Sequence, residues 1–287
     1  MPKQLDQAPP ELLADRLHRL GEGIGKVVYS SEHWVVKRHR TAEEMVALIL
    51  VWKFLHKVAR GLPGGIGAPL LHSPPRVVNL LRVLAQSLMV VVPKRYWHTK
   101  HVSQVLYKFV RRAKRGDSLA RTHLVDSPLL PQLIQFPPKT VVIDGWPGWM
   151  TVSEATERVD TTLDRCIGTL AQANNFAAVE TWLDRLLETR QAGWRSGLFS
   201  VDAHLKNFGV IGDRIVLLDT GGLTNRWGEI ADKLAKDEQV RLPHVQLGLA
   251  TALATRPDIA AKFNERWKSL VNRQVVVEIL GADQRED

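Results

Sequence analysis

The stretch SVDAHLKNFGVIGDRIVLLDTGG, from Ser200 to Gly222, decides the fold because it orders three polar residues around two short apolar runs. Asp202 and Asn207 precede the run FGVI, and Asp219 follows the run IVLL. Two such runs on either side of Gly-Asp predict two strands joined by a tight turn. Alone, an Asp and an Asn five residues apart indicate only a polar loop that makes its own turn bonds. The rest of the chain decides between these interpretations.

A second polar pattern lies upstream, in LGEGIGKVVY from Leu20 to Tyr29, where three glycines open a turn between predicted strands. These glycines are Gly21, Gly23 and Gly25. Glycine lets backbone N–H groups approach phosphate oxygens closely. The next predicted strand, WVVK, ends in Lys37, whose ammonium group could reach the same phosphates as a point charge. The two strands together predict a phosphate-binding element.

The order of these residues matches the parts that phosphoryl transfer requires, which are phosphate positioning, charge neutralisation and an oriented nucleophile. Asp202 could accept the proton of an attacking hydroxyl group. Asn207 and Asp219 supply the hard oxygen ligands that Mg²⁺ prefers.

These motifs resemble those of the protein-kinase-like superfamily. LGEGIGKVVY is similar to that family's glycine-rich loop, although it is one residue shorter, and VVK resembles its strand-three lysine motif. SVDAHLKN matches the catalytic loop in spacing, and Asp219-Thr220-Gly221 resembles DFG with Thr in place of Phe. The resemblance implies ATP and Mg²⁺ as cofactors. It gives Asp202 the role of catalytic base and Asn207 and Asp219 the role of metal ligands, and it places the three glycines and Lys37 on the phosphates.

The resemblance also implies an α+β, two-lobed, protein-kinase-like fold. We expect a strand-rich N-lobe over residues 1–143 with a basic helical insert at about 73–125, and a mostly helical C-lobe over 144–287. KTVVIDGWPGW looks like a strand that runs into a turn. The segment Val141 to Gly145 is therefore the expected hinge, where the edge of adenine would meet backbone groups.

A helix glutamate that pairs with Lys37 is expected soon after the lysine strand. Glu43 and Glu44 are both available, and Glu44 is our choice. The alternative for Glu44 is a capping box, because it follows Thr41 by three residues.

Departures from the family pattern bear on the substrate. Ser200 and Val201 replace the histidine and arginine that precede the catalytic Asp in most protein kinases, and no APE-like motif follows Asp219. His204 instead makes the loop resemble the D-x-H-x-x-N loop of aminoglycoside and other small-molecule phosphotransferases. A histidine packed under the loop is the alternative for His204.

The positive charge of the chain is concentrated in one segment. The net charge is +9, and the segment from Lys94 to Arg121 holds nine Lys or Arg residues and a single acid, Asp117. Within it, HVSQVLYKFVRRAKRG predicts a basic amphipathic helix, which can lie on an anionic membrane surface. The alternative is a solvated helix that packs by its apolar face. On the first interpretation the chain resembles the bacterial lipopolysaccharide-kinase branch, whose members act at the cytoplasmic face of the inner membrane.

The composition excludes several classes of protein. A single cysteine, Cys166, excludes an intrachain disulfide framework and a multi-cysteine metal site. The charged N-terminus is not typical of a signal peptide. The most apolar window, Val77 to Val92, is too short and too polar for a spanning helix. A cytoplasmic protein is expected, with peripheral membrane contact through residues 94–121 as the alternative.

The function expected from these motifs is transfer of the γ-phosphoryl group of ATP to a hydroxyl group of a sugar or lipopolysaccharide-type glycolipid. An atypical Ser/Thr protein kinase is one alternative. A pseudokinase that binds a partner through the basic insert is another, although such a protein would not need to keep Lys37, Asp202, Asn207 and Asp219. Nucleic-acid binding has the net charge in its favour but lacks a recognisable module.

Overall fold

The computed structural model describes residues 2–22, 25–41, 44–45, 47–49, 51, 55, 57, 80, 84, 100–124, 126–145, 147–200, 202 and 204–280, with the backbone alone for 100–110. The chain is mixed α+β, with a strand-rich sheet and a set of helices. The expected α+β class is therefore confirmed.

The N-terminal part forms one six-stranded sheet. Its strands in chain order are β1 (Lys3–Gln4), β2 (His18–Glu22), β3 (Lys26–Ser30), β4 (Trp34–His39), β5 (Leu133–Val142) and β6 (Trp149–Glu157), and the short helix α1 (Pro10–Ala14) lies between β1 and β2. The spatial order is β1-β5-β6-β4-β3-β2. All neighbours are antiparallel except β1 and β5, which are parallel.

Side chains alternate between the two faces of this sheet, as strand geometry requires. Val27 and Tyr29 of β3 and Val36 of β4 are buried in a cluster that also holds Ile134 and Val152 of the other strands. We call this cluster the sheet core. Lys37 follows Val36 in β4, so its side chain lies on the face of the sheet opposite the sheet core.

The predicted boundary at 143/144 is wrong because it cuts a β-hairpin. Strands β5 and β6 pair from Val142↔Trp149 to Leu133↔Thr156. Gly145 and Gly148 have φ values of +88° and +87°, which only glycine adopts without strain, and they turn the chain back into the sheet. The strand-rich part therefore continues to Glu157.

The described residues outside this sheet are mainly helical. The helices are α2 (Lys100–His123), which precedes β5, and α3 (Leu163–Gln172), α4 (Phe176–Arg195), α5 (Trp227–Glu238), α6 (Pro243–Gln246), α7 (Pro257–Leu270) and α8 (Arg273–Leu280). Short strands lie among them: β7 (Thr161–Thr162), β8 (Phe199–Ser200), β9 (Phe208–Ile211), β10 (Arg214–Leu217) and β11 (Leu223–Thr224). They form a β10-β9-β7 sheet and a β11-β8 pair.

Helix α4 is the centre of a second buried cluster, which we call the helical core. Its buried residues recur every three or four positions, the spacing that puts them on one helical face, and they are Val179, Leu183, Leu186, Leu187, Arg190 and Trp194. Residues from α3, α5, α7 and α8 complete the cluster. Ala120 of α2 and the adjacent Leu124 also belong to it, so α2 packs against the helical part of the chain.

Helix α2 confirms the predicted basic helix and is longer than the segment that predicted it. The remainder of the expected insert, apart from residues 80, 84 and the segment 100–124, lies outside the described residues, as does most of the apolar window Val77 to Val92. Within the described part of the chain, no helix has both the length and the hydropathy needed to cross a membrane.

Candidate functional site

A cavity of about 570 Å³ lies between the six-stranded sheet and the helical part. Six of the eight predicted site residues line it: Gly21, Gly25, Lys37, Asp202, Asn207 and Asp219. Gly23 lies outside the described residues, and Glu44 does not line the cavity. Residues separated by nearly 200 positions in sequence are thus brought to one site.

The hairpin β9–β10 brings Asn207 and Asp219 together, which confirms the predicted hairpin. Phe208 pairs with Leu217 at its open end. One step further out, the backbone N–H of Leu218 donates to the carbonyl oxygen of Asn207 at 2.8 Å. Asp219 is the next residue, so its carboxylate and the Asn207 amide lie at the same end of the hairpin.

The donors at this end of the hairpin fit a magnesium ion. Asp219 Oδ1 accepts a hydrogen bond from the backbone N–H of Gly221 at 3.0 Å, which fixes the carboxylate. Asn207 donates through Nδ2 to the backbone oxygen of Asp202 at 3.4 Å. The amide oxygen of Asn207, Oδ1, takes no part in this contact. No group of three or more His, Cys, Asp or Glu in the described ranges forms an all-protein metal cage. Mg²⁺ does not need one, because it is usually held by one or two carboxylates together with substrate phosphates.

Asp202 is exposed and lines the cavity, and among the described residues its contacts are with backbone groups beside it. It follows β8, which pairs with β11. Gly222 lies directly against it, since a Cβ atom added to Gly222 would be 3.2 Å from Asp202 Cβ. The backbone N–H of His204 contacts Asp202 Oδ1 at 3.5 Å. The Asp202 side chain is thus an exposed part of the cavity wall.

The His204 side chain packs under this loop. Its Nδ1 accepts a hydrogen bond from the backbone N–H of Lys206 at 3.3 Å. A Cβ atom added to Gly248, which has a φ of +91°, would lie 3.0 Å from the ring. Only a glycine leaves room for the imidazole there, so the structure favours the packing alternative for His204.

Arg190 supports the same loop from within the helical core, and no sequence pattern predicted it. Its guanidinium group lies over the rings of Trp194, Phe199 and Trp267 and donates to the Ser200 backbone oxygen at 3.5 Å. Burial lowers the pKa of Arg190 to about 10, although the charge of Asp237 opposes this shift. Because Phe199 and Ser200 lead directly to Asp202, this buried cation helps to fix the position of the loop.

Lys37 enters the cavity from β4 and has no carboxylate hydrogen-bond partner in the described part of the chain. Its Nζ donates to the backbone oxygen of Leu218 at 2.9 Å. Burial, followed by the positive charge of Lys26, lowers the pKa of Lys37 to about 8, against the opposing charges of Asp117, Asp219 and Glu154. A bound anion would stabilise the charged form of an ammonium group in this setting.

The expected pairing of Glu44 with Lys37 is wrong. Both oxygens of Glu44 accept hydrogen bonds from Arg38, at 2.9 and 3.0 Å. Glu44 also accepts from the backbone N–H of Thr41 at 3.0 Å, and Thr41 Oγ1 accepts from the Glu44 N–H at 3.2 Å, which makes the capping box. Burial alone would raise the pKa of Glu44, but the hydrogen bonds from Arg38 and Thr41 lower it. Adjacent strand residues point to opposite faces, so a glutamate that meets Arg38 is directed away from Lys37.

The expected hinge at Val141 to Gly145 is also wrong. That segment is the end of β5 and the turn to β6, and it does not line the cavity. The chain leaves the sheet after β6 instead, and Glu157 and Val159 line the cavity there. Apolar side chains surround this part of the cavity on both sides: Leu20, Val28, Val35, Val159 and Leu218.

Helix α2 contributes residues that the sequence motifs missed. Arg112 and Ala113 line the cavity, and Asp117 binds Lys26, which also lines it. The signal that could have found Asp117 is its isolation, because it is the single acid among nine basic residues.

Some side chains of the basic segment are exposed, others form ion pairs within the protein, and one lines the cavity. Arg111 and Lys114 are exposed, whereas Arg115 donates to both oxygens of Glu229 on α5 at 2.6 Å. Arg121 is bound to Glu154 of β6. The segment is remote from the predicted nucleotide-binding residues in sequence, but Arg112 shares a cavity with them.

Comparison with models of known protein families finds no match, and no curated protein matches the chain in sequence.

Proposed function

We propose that the protein is an ATP- and Mg²⁺-dependent phosphotransferase of the protein-kinase-like superfamily, with the sheet core as N-lobe and the helical core as C-lobe. The observation that carries the proposal is the convergence of Lys37, Asp202, Asn207 and Asp219 on one cavity. These four residues come from three separate segments, and each has the chemistry that one part of phosphoryl transfer requires.

The adenine ring has a place between the apolar side chains Leu20, Val28 and Val35 and the segment after β6. Backbone groups near Glu157 and Val159, which line the cavity there, would meet its polar edge. The phosphates would then extend toward Gly21 and Gly25, where an added Cβ atom would meet nothing within 4 Å. Free space beside glycine backbone is what a close phosphate contact needs.

Lys37 would bind the phosphates as a point charge, and Asn207 and Asp219 would hold the metal ion. A bound Mg²⁺ supplies charge neutralisation on the transferred group and fixes its orientation. Asp202 lies beside this end of the cavity, where it would accept the proton of the acceptor hydroxyl.

The acceptor proposed is a hydroxyl group of a sugar or of a lipopolysaccharide-type glycolipid. Arg112 and Lys206 line the cavity together with Asp202, so an acceptor with anionic groups would be favoured there. The exposed cations Arg111 and Lys114 would hold the protein near an anionic membrane surface.

The test is turnover of ATP by the purified protein with Mg²⁺, in the presence and absence of a cell-envelope glycolipid extract. Asp219→Ala and Asp202→Asn should each lower turnover by at least about 100-fold, a typical loss when charge stabilisation at a transition state is removed. Asp213→Ala is the matched control, because Asp213 lies in the β9–β10 turn and its side chain is 89% exposed. Wild-type turnover in the Asp219 variant would refute the proposal. Nucleotide binding without any turnover would instead indicate a pseudokinase.

A further inference from the structure

Helix α2 packs directly on the residues that follow Asp219. A Cβ atom added to Gly116 would lie 2.1 Å from the backbone oxygen of Thr220. A Cβ atom added to Gly221 would lie 3.4 Å from Ala113 Cα. The helix backbone and the Thr220–Gly221 backbone therefore touch without an intervening side chain at Gly116.

Asp117, the next residue of α2, connects two segments that are far apart in sequence. Its Oδ1 accepts a hydrogen bond from Lys26 Nζ at 2.7 Å, and the same oxygen accepts one from Thr220 Oγ1. Lys26 begins β3 directly after the glycine-rich turn, and Thr220 directly follows Asp219. One carboxylate oxygen thus joins the proposed phosphate-binding hairpin to the proposed metal-binding segment.

The connection is charged and largely shielded from solvent. Burial alone would raise the pKa of Asp117, but the charge of Lys26 and the hydrogen bonds from Lys26 and Thr220 lower it, so the carboxylate is ionised at neutral pH. The side chains of Lys26 and Asp117 are 18% and 19% exposed. Removing one partner of a shielded ion pair leaves the other charge uncompensated. Separating the two side chains therefore costs free energy.

From these contacts we infer that Asp117 is a positioning residue of the proposed phosphotransferase. It sets the distance between the glycine-rich hairpin and the Asp219 segment, so that phosphates and metal ion meet Asp202 in one fixed arrangement. Asp117 itself touches no reacting atom. The inference rests on the proposed function for its catalytic consequence, although the connection itself can be tested separately.

The catalytic test compares Asp117→Asn, Lys26→Met and the double variant in Mg²⁺-dependent ATP hydrolysis without an acceptor. Each single variant should lower kcat by about 10- to 100-fold, because a small displacement of aligned groups costs that much. The KM for ATP should change by less than about threefold. The double variant should be no slower than the slower single variant, since both remove the same connection. Arg121→Gln is the matched control: it breaks another ion pair of the same helix and should leave kcat unchanged.

A second measurement tests the role of Asp117 without requiring catalytic activity. Hydrogen exchange of the apo protein should accelerate in Asp117→Asn at Gly221 and Leu223, whose N–H groups donate to Asp219 Oδ1 and to the Thr220 oxygen. Exchange at Leu217, which donates to Leu129, should not change.

The outcomes distinguish the proposed phosphotransferase function from the positioning role of Asp117. If the wild type does not turn over ATP, the proposed function fails, and the exchange comparison still decides whether Asp117 orders the segment. Wild-type kcat and wild-type exchange in Asp117→Asn would overturn the inference. A uniform loss of stability, with exchange accelerated throughout the helical part, would overturn it as well, because it would show a structural role only.

Discussion

Replacing Lys37 by methionine should stabilise the protein in the absence of nucleotide while removing its affinity for nucleotide. Methionine keeps most of the length of the side chain but carries no charge. The pKa of Lys37 is lowered from 10.5 to about 8, chiefly by burial. The folded protein therefore carries the cost of a partly desolvated ammonium group, which an anionic ligand would offset.

The size of this cost follows from the pKa. A shift of about 2.5 units corresponds to about 3.5 kcal/mol, at about 1.4 kcal/mol for each unit. This is an upper bound, because the side chain lines an open cavity and water screens part of it. The variant also loses the hydrogen bond to the Leu218 oxygen, worth about 1 kcal/mol. The expected net gain in the free energy of unfolding is about 1 to 2 kcal/mol at pH 7.

The pH dependence has a defined sign. A lysine whose pKa is lower in the folded state destabilises that state fully below pH 8, and the effect disappears as the pH rises from 8 to 10.5. The stability difference between variant and wild type should therefore shrink above pH 8.

Denaturant unfolding at pH 7 and at pH 9.5, with and without ATP and Mg²⁺, measures both effects. ATP at 100 times its Kd should stabilise the wild type by about 2.7 kcal/mol and the variant by much less, which reverses their order. Lys262→Met is the control, because Lys262 is 63% exposed and makes a surface ion pair with Glu180. If the variant is less stable than the wild type at pH 7 without nucleotide, burial of the Lys37 ammonium group does not destabilise the folded protein.

Three further predictions follow from individual contacts. Gly116→Ala should lower the free energy of unfolding by at least about 2 kcal/mol, because the new methyl group would overlap the Thr220 oxygen. Gly168→Ala on α3, where an added Cβ meets nothing, is its control in thermal unfolding. Glu44→Gln should cost about 1 kcal/mol because it removes the charge that Arg38 binds, whereas Gln keeps the capping box, and nucleotide affinity should not change. The cost should fade below pH 4.5, where the lowered pKa of Glu44 no longer contributes. An altered Kd for ATP would instead support the pairing of Glu44 with Lys37. Arg111→Gln/Lys114→Gln should weaken sedimentation with anionic vesicles by about 1 kcal/mol for each charge and leave ATP affinity unchanged; unchanged vesicle binding would place the membrane contact elsewhere.

Local patterns predicted the parts of the site that lie on strands and tight turns. The hairpin between Asn207 and Asp219 follows from two apolar runs around Gly-Asp, since strand length and turn chemistry are local properties. The strand that carries Lys37 was predicted for the same reason. The predicted residues that line the cavity therefore lie on a short strand or within two residues of one.

The misplaced residues depended on contacts between distant segments. Val141 to Gly145 was taken for a hinge because the sequence does not show that Gly145 and Gly148 return the chain to the same sheet. The resemblance implies a helix glutamate that pairs with Lys37, and Glu44 is our choice, whereas strand alternation directs Glu44 to Arg38. Asp117 could not be assigned at all, because its partners Lys26 and Thr220 lie 91 and 103 positions away.

The most direct test of the central claim is the equilibrium binding of ATP with and without Mg²⁺, measured by calorimetry on the wild type, Asp219→Ala and Asp213→Ala. We expect Mg²⁺ to tighten ATP binding to the wild type and to Asp213→Ala. Asp219→Ala should abolish this tightening while weak metal-free binding through Lys37 remains. Absence of ATP binding to the wild type, or a magnesium effect that is equal in all three proteins, would show that the cavity is not an ATP–Mg²⁺ site of the proposed kind.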